Sequence, residues 1–586
     1  MSAVLPDLAR LPLGPLERAM AGSLQRLEPE ASPWVLLAAA LCCEALARGD
    51  VCLPLSRLAE VPGWLEQPAL AWPDLASWRQ QLAASSLVGQ PGEYRPLILE
   101  LDRLYLARYQ GYEQALARRL LALDRQTLAV DEAVLDDSLG RLFQGRPAGA
   151  DLQRTAVAQA VRRPLAVISG GPGTGKTTTV VRLLAALLEQ PGHGPLAIGL
   201  AAPTGKAAAR MAEAIRKARS GLQIPEALQA RLPDQAQTLH RLIGIRGDST
   251  RPRHHAGRPL PLDVLVVDEA SMVDLALMYR VVDALPPGAR LVLLGDQYQL
   301  AAVEAGAVFA EICSLHGTAG PAAPSLGDAV VLLTHSYRFA GDSGIGELAR
   351  QINAGHVPGI HRVLRAGGAD LGWNPSPRPD DLLERLEQGY IPYLQAAVSG
   401  EPGLAFAAFN AFRALAARRE GSFGVQALNE ALEIRLRRRL GLASRERWYP
   451  GRAVMVQHND YALELFNGDV GLCLPTPQGL RVFFEAGQGY RSFAATRLPL
   501  HECALVMTVH KSQGSEFDEV LLILPEQPGP LLTRSLLYTG VTRARKRVEL
   551  WALPERLDEA ASRPASPVAG LAGRLMSAVA QERCRA

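Results

Sequence analysis

Residues 170–177 read Gly170-Gly171-Pro172-Gly173-Thr174-Gly175-Lys176-Thr177, followed by Thr178. Glycines let such a loop wrap phosphates with its backbone N–H groups turned inward. The Lys176 ammonium can then reach the β and γ oxygens, and the Thr177 hydroxyl can sit on Mg²⁺. An apolar run, Leu165 to Ile168, precedes the loop. After it, Val180, Leu183, Leu184, Leu187 and Leu188 recur at the spacing of a helix with one buried face. The N-terminus of that helix aims at the phosphates. The chain is therefore expected to bind a nucleoside triphosphate, which leaves kinase, GTPase, transporter and motor open.

A second cluster narrows the chemistry. Asp268-Glu269-Ala270-Ser271 ends the strand-like run Val264 to Val267. Beside a P-loop, Asp268 suits Mg²⁺ held through water, and Glu269 suits orienting and deprotonating an attacking water. Together they imply hydrolysis. Gly295-Asp296-Gln297-Tyr298-Gln299-Leu300 follows another buried run and places Gln299 to sense a γ-phosphate.

The elements that must position these groups follow from patterning. Apolar runs at Leu165 to Ile168, Leu196 to Ala202, Val264 to Val267 and Leu291 to Leu294 alternate with helical periodicity, as a parallel α/β sheet requires. Breaker-rich stretches at 317–328 and 367–380 lead to a second α/β unit with strands including Leu505 to Thr508, Val520 to Leu524 and Val548 to Leu553. Trp448 to Leu498 is short and β-rich, with turn signals at Asn467-Gly468-Asp469. Residues 1–120 are helix-patterned and hold four tryptophans, Trp34, Trp64, Trp72 and Trp78, without a catalytic signature. They suit a binding or assembly domain, and the Gly/Pro-rich stretch 140–149 separates them from the P-loop region.

Composition sets limits. At 586 residues the chain has room for several cores. Its longest apolar stretch, Trp34 to Cys43, stops at Glu44, short of the roughly 20 residues a membrane span needs. Met1 to Met20 carries charges and no apolar signal core, an expectation against secretion. Seven cysteines without metal-ligand spacing read as reduced thiols in a cytoplasmic protein. The net charge of +3 decides little, because a nucleic-acid enzyme needs only a basic groove. No clustered-acid nuclease signature is evident.

The order of motifs resembles the superfamily 1 helicases, in the branch that moves 5′ to 3′. Gln153, ahead of the P-loop, is similar to their adenine-reading glutamine. Ala202-Pro203-Thr204-Gly205-Lys206 and Thr238-Leu239-His240-Arg241-Leu242 resemble their strand-contacting motifs. Ser336-Tyr337-Arg338-Phe339 resembles the motif that supplies a γ-phosphate arginine. Thr508-Val509-His510-Lys511-Ser512-Gln513-Gly514-Ser515-Glu516 resembles the one in which Thr and His face DNA and Glu contacts the ribose. Tyr538-Thr539-Gly540-Val541-Thr542-Arg543 resembles the last motif, with Arg543 as arginine finger.

Val303-Glu-Ala-Gly-Ala-Val308, Leu465-Phe-Asn-Gly-Asp469 and Val51-Cys-Leu-Pro-Leu55 resemble, more narrowly, the RecD family, the α subunits of RecBCD (exonuclease V) complexes. What this resemblance implies is an α/β chain of two RecA-like P-loop motor domains with parallel sheets. It also implies a helical N-terminal domain and a small β-rich, SH3-like insertion. The expected boundaries are 1–120 for partner binding, 121–345 for the first motor domain and 346–586 for the second, with the insertion at about 448–498. The implied activity is ATP-dependent 5′-to-3′ translocation on single-stranded DNA and DNA unwinding, in double-strand break repair and homologous recombination. The implied partners are the 5′-ended strand of a duplex end and RecB-like and RecC-like subunits of a heterotrimer, with no membrane. Lys176, Glu269, Gln299, Arg338 and Arg543 would be catalytic. Gln153, the P-loop from Gly170 to Thr178 and Glu516 would hold ATP, Thr177 and Asp268 would hold Mg²⁺, and Pro203, Thr204, Thr238, His240, Thr508 and His510 would touch DNA. The N-terminal region lacks an obvious helix-hairpin-helix repeat, which favours the complex-bound form over a stand-alone helicase. A nucleotide switch without unwinding and an RNA helicase stay open. Arg251 to His255 suits either a strand-separating pin or a solvated loop, and Arg435 to Arg439 either a solvated face or a DNA track.

Overall fold

The computed structural model describes residues 8, 11–61, 72–145, 151–192, 195–219, 221, 224–245, 251–317, 326–339, 343–442, 446–460, 462–487, 489–564 and 567–583. Trp64 and residues 146–149 of the Gly/Pro-rich stretch lie outside them.

Six strands form the first large sheet: β5 (Leu165–Gly170), β6 (Ile198–Ala202), β7 (Gln237–Thr238), β8 (Val264–Val267), β9 (Arg290–Gly295) and β10 (Val330–Leu333). They run parallel in the order β10-β5-β9-β8-β6-β7. Their near-continuous burial is what a sheet covered on both faces demands. The helices Asp151–Arg162 and Lys176–Glu189 cover one face, and Ala107–Asp124, Leu275–Asp283 and Val308–Cys313 the other. With β9 between β5 and β8, the P-loop and the acid pair emerge side by side at the carboxyl edge.

The second large sheet is also parallel: β11 (Leu371–Asn374), β12 (Phe412–Ala416), β18 (Val506–Thr508), β19 (Phe517–Ile523) and β20 (Ala544–Trp551), in the order β11-β20-β19-β12-β18. On β12, Arg413 is fully buried, with no carboxylate in hydrogen-bond reach among the described residues. Its guanidinium lies 3.5 Å from the Phe409 ring centroid and donates to the carbonyls of Ala504 at 3.0 Å and Phe409 at 3.2 Å. Between β12 and β18 the chain forms an antiparallel five-stranded unit, β13 (Ala453–Val456), β14 (Val470–Thr476), β15 (Gly479–Ala486), β16 (Gly489–Phe493) and β17 (His501–Cys503), ordered β16-β15-β14-β13-β17. This β-rich unit reaches five residues beyond the expected boundary at 498. The basic run on the helix Val425–Arg439 is tied partly to Glu387, by Arg439 at 3.1 Å and Arg435 at 3.6 Å.

The helices expected in the N-terminal region are present at Pro15–Leu27, Pro33–Ala47 and Leu75–Ala84. A small sheet accompanies them: β1 (Leu53–Pro54), β2 (Val88–Gly89), β3 (Leu97–Glu100) and β4 (Arg103–Leu106), ordered β1-β4-β3-β2. Such two- and four-residue strands are too short to declare an alternating pattern in the sequence. Trp34, Trp72 and Trp78 pack on one another with centroids 5.2–6.3 Å apart, and Trp78 Nε1 donates to the Trp34 carbonyl at 2.9 Å, so these aromatics are core.

The end of the chain corrects the expectation that everything after residue 345 belongs to the second unit. Val568 exchanges backbone contacts with the N-terminal region, its carbonyl accepting from Val51 N at 2.7 Å and its N–H donating to Asp50 Oδ1 at 2.7 Å. The helix Leu571–Arg583 then docks Leu571 and Leu575 into the core of the first sheet. Charge fixes the register. Gly570 N donates to Glu113 Oε2 at 2.8 Å, and Arg574 donates to Glu113 Oε1 at 2.7 Å and to Glu100 Oε1 at 2.7 Å.

Glu311 completes this junction by accepting from Ala572 N at 3.2 Å. Burial, with the charge of Glu113 nearby, pushes its carboxyl up to about 7 from an ordinary value near 4.5. A raised acid holds its stabilising effect fully below the unfolded value and loses it as pH rises through the folded one. Glu311→Gln should therefore be more stable than the parent at pH 8, by roughly 1–3 kcal/mol, with the gap closing near pH 5. Denaturant titrations at the two pH values test this, and an equal difference at both would contradict it.

Candidate nucleotide site and strand path

The P-loop takes its shape from two glycines in the left-handed region, Gly173 at φ 78° and Gly175 at φ 81°. A Cβ on Gly173 would lie 2.3 Å from Arg338 Cβ, so any side chain there would push the second unit's arginine away. The segment carrying Arg338 is bound directly to the loop: Tyr337 N donates to the Gly173 carbonyl at 2.9 Å, and Ser336 Oγ to that of Pro172 at 3.0 Å. Within the loop, Lys176 Nζ donates to the Gly170 carbonyl at 2.5 Å, and Thr174 Oγ1 to that of Gly171 at 2.8 Å.

A cavity of about 330 Å³ opens between the two large sheets. From the first come residues 171–178, Arg210, Asp268 and Glu269, and from the second Arg338, Gly514 and Glu516. Glu269 sits at φ 52°, a left-handed conformation unusual for a side-chain-bearing residue, and its N–H donates to Asp268 Oδ1 at 2.9 Å. Burial and the neighbouring Glu269 push Asp268 up to about 6, against the pull of Lys176. Across the cavity, Arg338 makes a bidentate pair with Glu516 at 2.8 and 2.9 Å. Burial would raise the Glu516 carboxyl, but the Arg338 guanidinium and its hydrogen bonds outweigh it and hold the group at about 2.

Four of the residues expected at the nucleotide do not line this cavity: Gly170, whose carbonyl is taken by Lys176, and Gln153, Gln299 and Arg543. Gln153 is buried behind the loop, donating to the Thr174 carbonyl at 2.9 Å and accepting from Arg182 Nη1 at 3.0 Å. Gln299 is turned onto Asp296, donating to Oδ2 at 3.0 Å. Arg543 is buried and donates to the carbonyls of Thr539 and Ser515, both at 3.2 Å, with its charge in reach of Glu269 and Glu516. Asp296, to which Gln299 is tied, also accepts from Tyr538 Oη at 3.0 Å, and Leu300 N donates to Thr539 Oγ1 at 2.9 Å. The loop after β9 is therefore stitched to the second unit.

The strand-contact candidates lie at the carboxyl ends of edge or near-edge strands. Register pairs Ala202 with Thr238, so Pro203 and Thr204 sit beside Thr238 and His240. Thr508 ends β18, the edge of the second sheet, and His510, two residues on, opens the 3-10 turn that follows. All three threonine hydroxyls accept a backbone N–H: Thr204 from Ala207 at 3.2 Å, Thr238 from Arg241 at 3.3 Å and Thr508 from Lys511 at 3.3 Å.

Sequence reasoning missed Arg210, which lines the cavity, donates to the Gly514 carbonyl and lies 3.9 Å from Glu516. A signal exists. Ala207, Arg210, Met211 and Ala214 share one face of the helix Gly205–Arg219 at i, i+3, i+4 and i+7, and all four line the cavity.

Comparison with known proteins bears on this arrangement. The model for the RecBCD enzyme subunit RecD N-terminal domain matches residues 10–105. An AAA domain matches 153–305, and a UvrD-like helicase C-terminal domain 504–550. RecBCD enzyme subunit RecD of Mycolicibacterium smegmatis is 44% identical over 561 residues, covering 94% of this chain and 95% of the relative. The chain belongs to the RecD family. The RecD subunit of Haemophilus influenzae is 34% identical, covering 88% of this chain and 89% of its own. The ATP-dependent RecD2 DNA helicase of Deinococcus radiodurans is 33% identical over 76% of this chain but only 54% of the relative. Among solved structures, a Bacteroides Pif1 helicase in complex with ADP-AlF3 and single-stranded DNA aligns over 68% of this chain and 91% of its own, at a TM-score of 0.37 and 16% identity. The P-loop fold of this RecD chain is a nucleotide-binding one. Among the described residues no helix is long and apolar enough to cross a membrane.

Proposed function

We propose that this chain is an ATP-dependent DNA helicase and single-stranded DNA translocase that moves 5′ to 3′. In this reading it is the motor subunit of a RecBCD-type complex, with RecB-like and RecC-like partners, acting in the cytoplasm on double-strand breaks. The observation that carries the proposal is one cavity in which the P-loop and acid pair of the first unit face Arg338 and Glu516 of the second. The domain division that goes with it is an N-terminal partner-binding domain to about residue 106, a first motor domain to about 334, and a second carrying the β-rich insertion.

Thr177 and Asp268 offer a hydroxyl and a carboxylate beside the phosphate loop. Mg²⁺ suits one or two such protein ligands completed by phosphate oxygens and water, and the raised Asp268 marks a carboxyl that a cation would relieve. When bound, the cation would neutralise charge on the β and γ oxygens. The chain's own residues do the rest. Lys176 turns from the Gly170 carbonyl to the phosphates, and Glu269 takes a proton from the attacking water. Arg338 exchanges Glu516 for the γ-phosphate, and Arg543 follows from its neighbouring buried position as the cleft tightens. Gln299 reports closure through Asp296 and Tyr538. Loss of the γ-phosphate returns Arg338 to Glu516 and changes the spacing of the two units. Thr204, Thr238 and Thr508, with Pro203, His240 and His510, hold the strand by its backbone without reading bases.

The deciding experiment is ATP-dependent unwinding of duplexes with a 5′ or a 3′ single-stranded tail, by the chain alone and with its partner subunits. Unwinding from the 5′ tail only, lost in Lys176→Gln, is expected. Hydrolysis without unwinding from either tail, even in the assembled complex, would leave a nucleotide switch as the better account.

A further inference from the structure

Arginines of this protein are mostly spent on partners. Arg141 pairs with Glu189 at 2.9 Å, Arg162 with Glu132 at 2.6 Å and Arg385 with Glu549 at 2.9 Å. One face departs from that habit. It is built by the helices Ala107–Asp124 and Leu275–Asp283 and by the loop 253–258, and it adjoins the turn carrying Thr238 and His240. On it, Arg108, Arg118, Arg241, Arg253 and Arg258 are exposed and Arg280 half-buried. None of the six side chains makes a hydrogen bond or ion pair among the described residues, whereas Arg119 beside them is paired with Asp283 at 2.8 Å.

The face is continuous. Tyr112 stacks on Tyr279 with centroids 5.2 Å apart and an interplanar angle of 28°, joining the two helices. Asp283, besides binding Arg119, accepts from Ala256 N at 3.0 Å and so anchors the loop on the same helix end. His254 N donates to the Ile243 carbonyl at 3.0 Å, and a Cβ on Gly244 would lie 2.6 Å from Arg253 Cβ, which carries the loop back to the turn after His240. The loop is thus folded down as part of a surface.

Two features select the ligand. Arg108 and Arg118 are ten residues apart on one helix, about 15 Å, a reach wider than one strand and comparable to a groove of duplex DNA. The two tyrosine rings are stacked on each other and are not free as platforms for unpaired bases, on which single-strand sites rely. Charge without stacking is the chemistry of a duplex phosphate backbone.

We propose that this face is a footing for the backbone of double-stranded DNA beside the strand path that begins at Thr238 and His240, an inference that rests on the motor reading above. It is tested with the full chain carrying Arg108→Glu, Arg118→Glu and Arg258→Glu together, and with the matching triple Gln variant in case the first does not fold. Binding to a tailed duplex and to the same tail as a single strand is measured across a salt series, alongside single-strand-stimulated ATP hydrolysis and thermal melting.

The expected result is an affinity for the tailed duplex reduced about tenfold or more, with a slope of log K against log salt shallower by about 2 to 3. Single-strand affinity and stimulated hydrolysis should stay within about twofold of the parent, on the same footing of lost phosphate contacts. Unchanged duplex affinity and slope in a variant that melts like the parent would overturn the proposal and leave the face to an acidic protein surface. Equal losses on single strands would overturn it too. An unmodified chain whose hydrolysis single strands do not stimulate would sink the motor reading instead.

Discussion

Glu269→Gln is expected to lower the rate of ATP hydrolysis by about 10² to 10⁴, the usual contribution of a positioned general base, while nucleotide affinity stays close to the parent's. The substitution keeps the shape of the side chain and removes only its ability to take a proton. Glu269 lines the cavity between the P-loop and Arg338. Its backbone is held at φ 52°, a conformation costing on the order of 1 kcal/mol or more for a side-chain-bearing residue, which the surrounding turn must sustain. That turn is fixed by the bond from its own N–H to Asp268 and by the 3-10 segment Ala270–Met272 that follows. With no side-chain hydrogen bond to it among the described residues, the carboxylate is aimed by backbone geometry. Single-turnover hydrolysis together with equilibrium nucleotide titration separates the two effects. A near-parental hydrolysis rate would mean that another group accepts the proton.

Arg574→Ala should cost about 3–5 kcal/mol in the stability of the junction between the N-terminal region, the first sheet and the chain's end. The reason is Glu113, which is fully buried and counts Arg574, Gly570 N and Tyr105 Oη among its partners. Removing the guanidinium leaves that charge without its cation, and Glu100 loses its cation as well, keeping the Gln110 amide at 3.3 Å. Because a chain of several domains need not unfold in one step, the readout should be local, by hydrogen exchange over residues 568–575. The double variant Arg574→Ala/Glu113→Gln should recover a good part of the loss. Protection unchanged by the single substitution would show that Leu571 and Leu575 hold the helix without help.

The parts of the site written contiguously were legible. The P-loop and the acid pair announce themselves because one short segment must supply the whole local geometry, and the runs that became β5, β8 and β9 flank them. Residues whose meaning depends on a partner far away in sequence were not. Arg338 and Glu516 were each read as facing nucleotide, yet they face each other, and nothing local forecasts a pair separated by 178 positions. Gln153 carried the expectation of a base reader only by resemblance, and nothing local forecast the bonds its amide makes to Thr174 and Arg182. Arg210 hid in an alanine-rich helix whose face only gained meaning once the cavity was known. The strands β11 and β12 were missed because four or five residues beside long amphipathic helices carry little periodic signal.

The return of the chain end to the first unit has a mechanical meaning. The second unit leaves the first after β10 and is fastened again at Val568 to Arg574, so it is hung like a door on two pins. A body held at one point can swing, twist and tilt; one held at two keeps mainly the rotation about the line between them. On the motor reading proposed above, each opening and shutting would retrace the same arc, and a strand lying across the gap would advance by a distance that anatomy sets. Cutting the second pin, for instance by a break in the chain just before Val568, would free the other motions and turn a measured stride into an irregular one.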